Sequence, residues 1–212
     1  MATIHKTTLS PSKLELLGGW LPTRSWYRGA GKPELSRAGG FRLDDPAGEV
    51  GIEFMVVADS AGPSAVAYHV PLTYRAGPLE GAEVALVGRA EHGVLGTRWI
   101  YDGARDPVLV SQLLALLASR TEPQAQSVSD TPDHSVTVTP VRDDLTATGT
   151  AQDSDATTDL VVGQASDFGA ILRVVRVLSP GNDDGSDVVG SVVAGWALPD
   201  GTKHRGPFVV VG

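Results

Sequence analysis

Three runs in the first half of the chain, "EVGIEFMVVAD" (49–59), "AVAYHVPLTYR" (65–75) and "GVLGTRWIYDG" (93–103), are rich in β-branched and aromatic residues and are parted by Gly, Pro and Asp. Such side chains fit a pleated, half-buried surface and the breaks supply turns, so antiparallel strands are expected from Phe41 onward, with a hairpin loop at 59–63. A helix should follow. Asp106 is placed as its N-cap and Pro107 at its first position, and Val110, Leu113, Leu114 and Leu117 recur at the spacing of one buried face. An earlier, shorter helix is expected from Ser10 as N-cap with Pro11 after it, its apolar face made by Leu14, Leu17 and Leu21, with Gly18 and Gly19 weakening its continuation.

After Arg120 the composition turns to "TEPQAQSVSDTPD", which reads as a polar linker. Further strands are expected at 134–142, 170–178, 188–198 and 206–211, the last two joined by a hairpin at Asp200-Gly201. Between the first two lies 143–167, with six aspartates and no basic residue; it reads as an exposed loop with one strand at 159–163.

Of the 212 residues, 42% are apolar, which supports a core without staples. No cysteine is present, so disulfides, thiol nucleophiles and thiolate metal sites are excluded. Residues 1–121 carry 12 basic and 12 acidic side chains, and residues 122–212 carry 5 and 13, so all of the excess negative charge falls in the second part. That balance repels a phosphate backbone, and nucleic acid is not an expected partner. The opening "MATIHKTTLSPSK" lacks the apolar core of a signal peptide, and no stretch is apolar enough for a membrane span, so a cytoplasmic location is expected.

The segment "WLPTRSWYRGAGK" (20–32) sets aromatic and basic side chains beside a Gly-Ala-Gly-Lys run. It fails as a phosphate loop: Trp26 stands where the first glycine belongs, and Pro33 replaces the magnesium-binding hydroxyl. Trp20, Trp26 and Tyr27 are expected to anchor helix to sheet. His92 beside Glu91 is the best acid–base pair on offer, although strand neighbours point to opposite faces and no nucleophile elbow accompanies them. His5, His69, His134 and His204 lack ligand spacing, and the acidic runs 153–159 and 182–187 do not fit the EF-hand template, so no metal or cofactor is expected. Trp99 and Tyr101 share one strand face, as a core pair or a sugar-stacking platform.

The Trp-Leu-Pro segment leading into Arg24-Ser25-Trp26-Tyr27 and Gly31-Lys32, followed by the strands at 50–59 and 65–75, resembles the N-terminal cap domain of actinobacterial maltokinases and related aminosugar kinases. The longer run 88–117 is similar to short free-standing actinobacterial proteins that carry this domain alone. Arg24-Ser25 departs from the Gln-Arg common there, and no His-x-Asp-x-x-x-x-Asn-like catalytic loop is found, so the resemblance does not carry kinase activity. It implies an α+β fold, a curved antiparallel sheet packed on helices with a cystatin-like look, over a cap-like domain at 1–121. A linker at 122–133 and a β-rich extension at 134–212 follow, the latter lengthening the same sheet or forming a small second layer.

The favoured function is a non-catalytic interaction or regulatory module, linked by the resemblance to glucan or trehalose metabolism, that binds a protein partner or its own copy. A carbohydrate- or phosphosugar-binding module using Trp99 or Trp196 with Arg24, Arg28 or Lys32 is the second reading, and a hydrolase or transferase using His92 and Glu91 is the third. The candidate contacts are Arg24, Trp26, Tyr27, Lys32, His92, Trp99, Tyr101 and Trp196, with no catalytic or metal residue assigned.

Overall fold

Ser12, two residues later than expected, opens the first helix. The computed structural model describes residues 9–128, 130–163, 169–181 and 187–212; His5 and residues 182–186 of the second acidic run lie outside them. Ser10 belongs instead to a two-residue strand, β1 (Leu9–Ser10), paired with residues 91 and 92. Helix α1 (Lys13–Trp20) then starts on a reciprocal cap: Ser12 Oγ accepts from Glu15 N–H, and Glu15 Oε2 accepts from Ser12 N–H. Gly18 and Gly19 remain inside the helix, whose Leu17 and Trp20 are buried.

The sheet begins with β2 (Leu35–Leu43), which the composition of "LSRAGGFRL" does not advertise. Gly39 and Gly40 have φ of +152° and +129°, beside a bulge between Arg37 and Gly39, and a Cβ at Gly40 would drive into the carbonyl oxygen of Phe54. This kink lets β2 pair closely on both sides. Strands β3 (Gly51–Asp59) and β4 (Val66–Arg75) form the expected hairpin, followed by β5 (Leu86–His92) and β6 (Gly96–Asp102). Asp106 then caps α2 (Pro107–Leu117) by accepting from Val108 N–H.

Later strands are β7 (Gln124–Ala125), β8 (Thr137–Thr139), β9 (Thr146–Ala147), β10 (Gln152–Asp153), β11 (Thr157–Gly163), β12 (Ala170–Val175), β13 (Gly190–Ala197) and β14 (Lys203–Val211). Two expectations need correction. The expected strand at 134–142 is confined to β8, because Asp133 ties the chain into a turn by accepting from Ser135 N–H. The 143–167 stretch is less of a loop than expected: the strand expected at 159–163 is present as β11, beginning two residues earlier with Thr158 fully buried, and the described part also supplies β9 and β10.

Among the described residues the strands form one antiparallel sheet in the order β1-β5-β6-β4-β3-β2-β13-β14-β12-β11-β10. Strands β2 and β13 pair at Gly39 and Trp196 and then part, with β7 on the freed edge of β2 and β8 on that of β13. The sheet is open as a path but strongly curled. Its curl brings Tyr68 opposite Val177, where His69 N–H donates to Arg176 O at 2.9 Å and Leu178 N–H donates to Ala67 O at 2.9 Å.

Period-two alternation gives β3 and β4 two different cores. Ile52, Phe54, Val56 and Ala58 face a large core with α2, Phe41, Trp196 and Phe208, while Met55, Val57, Tyr68 and Val70 face a second core under α1 with Trp20 and Trp26. No helix of the described residues is long and apolar enough to cross a membrane.

Candidate functional site

The aromatic and basic segment 20–32 folds onto the second core. Trp26 is fully buried, meets Trp20 edge-on at 5.7 Å between ring centroids, and lies 6.1 Å from Tyr68. Tyr27 O–H donates to Asp59 Oδ2 at 2.7 Å, and burial followed by that carboxylate raises its pKa. Arg24 lies over the Trp20 ring at 4.8 Å, and its Nη2 donates to Thr23 Oγ1 at 2.8 Å. Arg28 N–H donates to the Tyr68 hydroxyl at 3.0 Å, while Lys32 is exposed beyond Gly31. The rings therefore pack inward, and the basic groups line the outside of the turn.

The other candidates lie apart from this segment. His92 Nδ1 accepts from Leu95 N–H at 3.1 Å in the turn after β5, and Glu91 Oε1 accepts from Thr97 Oγ1 at 2.7 Å across β6. Each of the two side chains thus serves its own hairpin contact. Tyr101 is buried and accepts from Leu79 N–H at 2.9 Å, whereas half-buried Trp99 carries the Arg89 guanidinium over its ring at 4.1 Å. Trp196 is buried on the opposite side, beside His204 and Phe208.

The strongest polar chemistry sits in residues that pattern reading missed. Arg176 is fully buried; its Nη2 donates to both carboxylate oxygens of Asp102 at 2.7 Å, and its Nε donates to Thr158 Oγ1 at 2.7 Å. Its guanidinium also lies 5.2 Å from the Trp26 ring. Next to it His69 Nδ1 is 3.0 Å from Val175 O, and its ring lies between Phe54 and Phe208. Burial, with the Arg176 charge adding to it, lowers the His69 pKa to about 3, so the ring is neutral. One signal was present in the sequence: Arg176 stands inside "VVRVL", where a charge at a buried strand position demands a partner.

Glu53 is the second buried centre. Lys13 Nζ donates to it at 2.6 Å and Gln126 Nε2 at 2.8 Å, and the Tyr74 hydroxyl donates as well. Burial would raise its pKa, but the Lys13 charge and these hydrogen bonds outweigh it and hold the carboxyl below its ordinary value. Asp106 behaves alike: burial opposes ionisation, yet two bonds from Arg75 and one from Thr73 lower its pKa. Among the described residues no cluster of three or more His, Asp or Glu is arranged to hold a metal ion.

An open groove of about 770 Å³ lies on the surface. One wall comes from the loop before β5, with Ala82 and Ala85, and the other from α2 and the segment before β10, with Val110, Leu114, Leu145 and Ala147. Arg105 ties the start of α2 to the segment before β10 within the second wall: its Nη1 donates to Ala151 O at 2.6 Å, and its Nη2 lies 3.0 Å from Asp153 Oδ2.

No curated protein sequence matches the chain. Residues 20–106 match the family model of the maltokinase N-terminal cap domain. That span holds the folded aromatic segment, the strands β2 to β6 and the cap residue of α2, and it contributes one wall of the groove. The segment 20–106 is a cap-like module related to the N-terminal cap of maltokinases.

Proposed function

We propose that the chain is a non-catalytic interaction or regulatory module, in which the cap-like segment and residues 134–212 act as one folded unit that binds a partner protein or a second copy. The observation that carries this reading is how four buried carboxylates of the matched segment are engaged. Glu53, Asp59, Asp102 and Asp106 each hold hydrogen bonds that join one element of the fold to another. A general acid or base needs a free site at the reacting group, and these carboxylates have theirs filled.

The pairing of β13 with β2 and the Arg176–Asp102 contact support a single unit, because each links the matched segment to the later strands. The cap match gives the reading its tie to maltokinase-type proteins, and through them to glucan or trehalose metabolism. A cystatin-like description of the curl belongs to the same proposal. The carbohydrate reading has weaker support, since a sugar platform needs an open aromatic face; Trp99 has Arg89 across its ring, and Trp196 is buried.

The test is incubation of the purified chain, at stoichiometric amounts, with magnesium-ATP and maltose or glucosamine, read by phosphorus NMR. No sugar phosphate is expected. One equivalent of product would overturn the non-catalytic reading. Sedimentation velocity over a hundredfold range of concentration then separates self-association from binding to another protein.

A further inference from the structure

The groove between the loop before β5 and α2 is lined mainly by aliphatic side chains. Its volume of about 770 Å³ lies in the range of small-molecule sites, roughly 300–1,000 Å³. Ala85, Val110, Leu114, Leu145 and Leu160 make its walls mainly aliphatic, with Thr146, Thr150 and Ser111 as the uncharged polar side chains and no aromatic ring for a sugar to stack on.

Its two arginines are in different states. Arg105 is compensated by Asp153 at 3.0 Å and by Asp102 at 3.9 Å. Arg120 is exposed and enters no ion pair among the described residues. With Ser111 it also lines a smaller hollow of about 420 Å³ on its other side, which places both at the rim where the two spaces meet. Asp45, across that hollow, has its carboxylate held by the backbone N–H groups of Ala47, Glu49 and Val50.

We infer that this groove binds a small amphipathic anion, with its aliphatic body along α2 and its carboxylate-like head at Arg120 and Ser111. A neutral polyol would set unsatisfied hydroxyls against aliphatic walls, and a cationic amphiphile would meet Arg120 with the wrong sign. An apolar tail without a charge would forgo the guanidinium contact. This goes beyond the interaction-module reading: formation of a sugar phosphate would end that reading and leave the groove untouched, and the reverse also holds.

The experiment is isothermal titration of the full chain with decanoate, decan-1-ol, decyltrimethylammonium and acetate at fixed low salt. One decanoate per chain is expected, with the alcohol and the cation at least about tenfold weaker and no detectable acetate binding. Arg120→Ala should bring decanoate to the level of decan-1-ol, and Ala147→Trp should weaken both by filling the groove. Both positions are exposed, so the variants should melt as the parent does, and Lys203→Ala, a cation removed elsewhere, should bind as the parent does. Methyl chemical-shift mapping of the unaltered chain gives a second readout, with decanoate expected to perturb Val110, Leu114, Leu145 and Leu160. The inference is overturned by absence of decanoate binding, by equal binding of decyltrimethylammonium, by decanoate affinity that both variants leave unchanged, or by shifts that map to another surface.

Discussion

Removing the guanidinium of Arg176 while keeping its bulk, as in Arg176→Met, should be among the most damaging single changes in the chain. Arg176 and Asp102 are 0% and 1% exposed, so the substitution strands a carboxylate with only Ala104 N–H at 3.3 Å and Arg105 Nε at 3.9 Å nearby. Breaking a buried pair from one side costs about 3–5 kcal/mol, much of it the desolvation of the charge left behind. Against a total stability of about 5–15 kcal/mol that is a large fraction. For a chain of this size it lowers Tm by roughly 6–20 °C, at ~2–4 °C per kcal/mol. Asp102→Asn should cost a similar amount, because it strands the cation. The double variant removes both charges and should lose less than the two singles combined, with a coupling of roughly 1–3 kcal/mol. Urea unfolding followed by tryptophan fluorescence reads this directly, since the Trp26 ring lies 5.2 Å from the guanidinium. Single losses below about 1 kcal/mol, or a double loss equal to the sum, would refute the reasoning.

Three more outcomes follow from buried groups and the kinked strand. His69 has a folded pKa of about 3 against an unfolded value near 6.5, so between these the unfolded chain binds more protons and stability falls as pH drops below about 6.5. His69→Phe should flatten that limb in urea titrations from pH 7 to pH 4, and an unchanged slope would show that the ring is not held neutral. Gly40→Ala should destabilise by more than the ~1–3 kcal/mol of backbone strain alone, given the Phe54 carbonyl in its path, whereas Gly48→Ala, with nothing within 4 Å, should cost only the strain; equal melting temperatures would contradict this. Asp106→Ala removes the cap of α2 and the partner of Arg75 together, so a loss of at least ~2 kcal/mol is expected by thermal melting, and a smaller loss would mean the cap is dispensable.

The strands at 51–59 and 66–75 and the helix after Asp106 were legible because their residue types carry the period of the element. Strand β2 was not, because its two glycines and its Ser and Arg mark a kinked strand whose pairing is set by neighbours on both sides. The start of α1 was misplaced because Ser10 and Ser12 are both acceptable caps; only the pairing of Ser10 with Glu91, a contact across some eighty residues, decides between them. Strand β11 was legible at 159–163, whereas the short β9 and β10 were not: Asp153 and Asp159, which read as solvated charge, serve as partners for Arg105, Thr158 and Arg173. Trp20 and Trp26 were legible as anchors, and both are buried. The groove was not legible, since residues from several separated segments make it and none carries a motif.

Hydrogen exchange of the full chain, read by mass spectrometry at peptide resolution, tests most directly whether the cap-like segment and the later strands act as one unit. The account requires the amides of β3 and β4, around Val56 and Val70, and those of β12 and β14, around Val174 and Val209, to open with the same free energy. A markedly lower opening energy for β12 to β14 alone would mean that residues 134–212 unfold independently, which contradicts it.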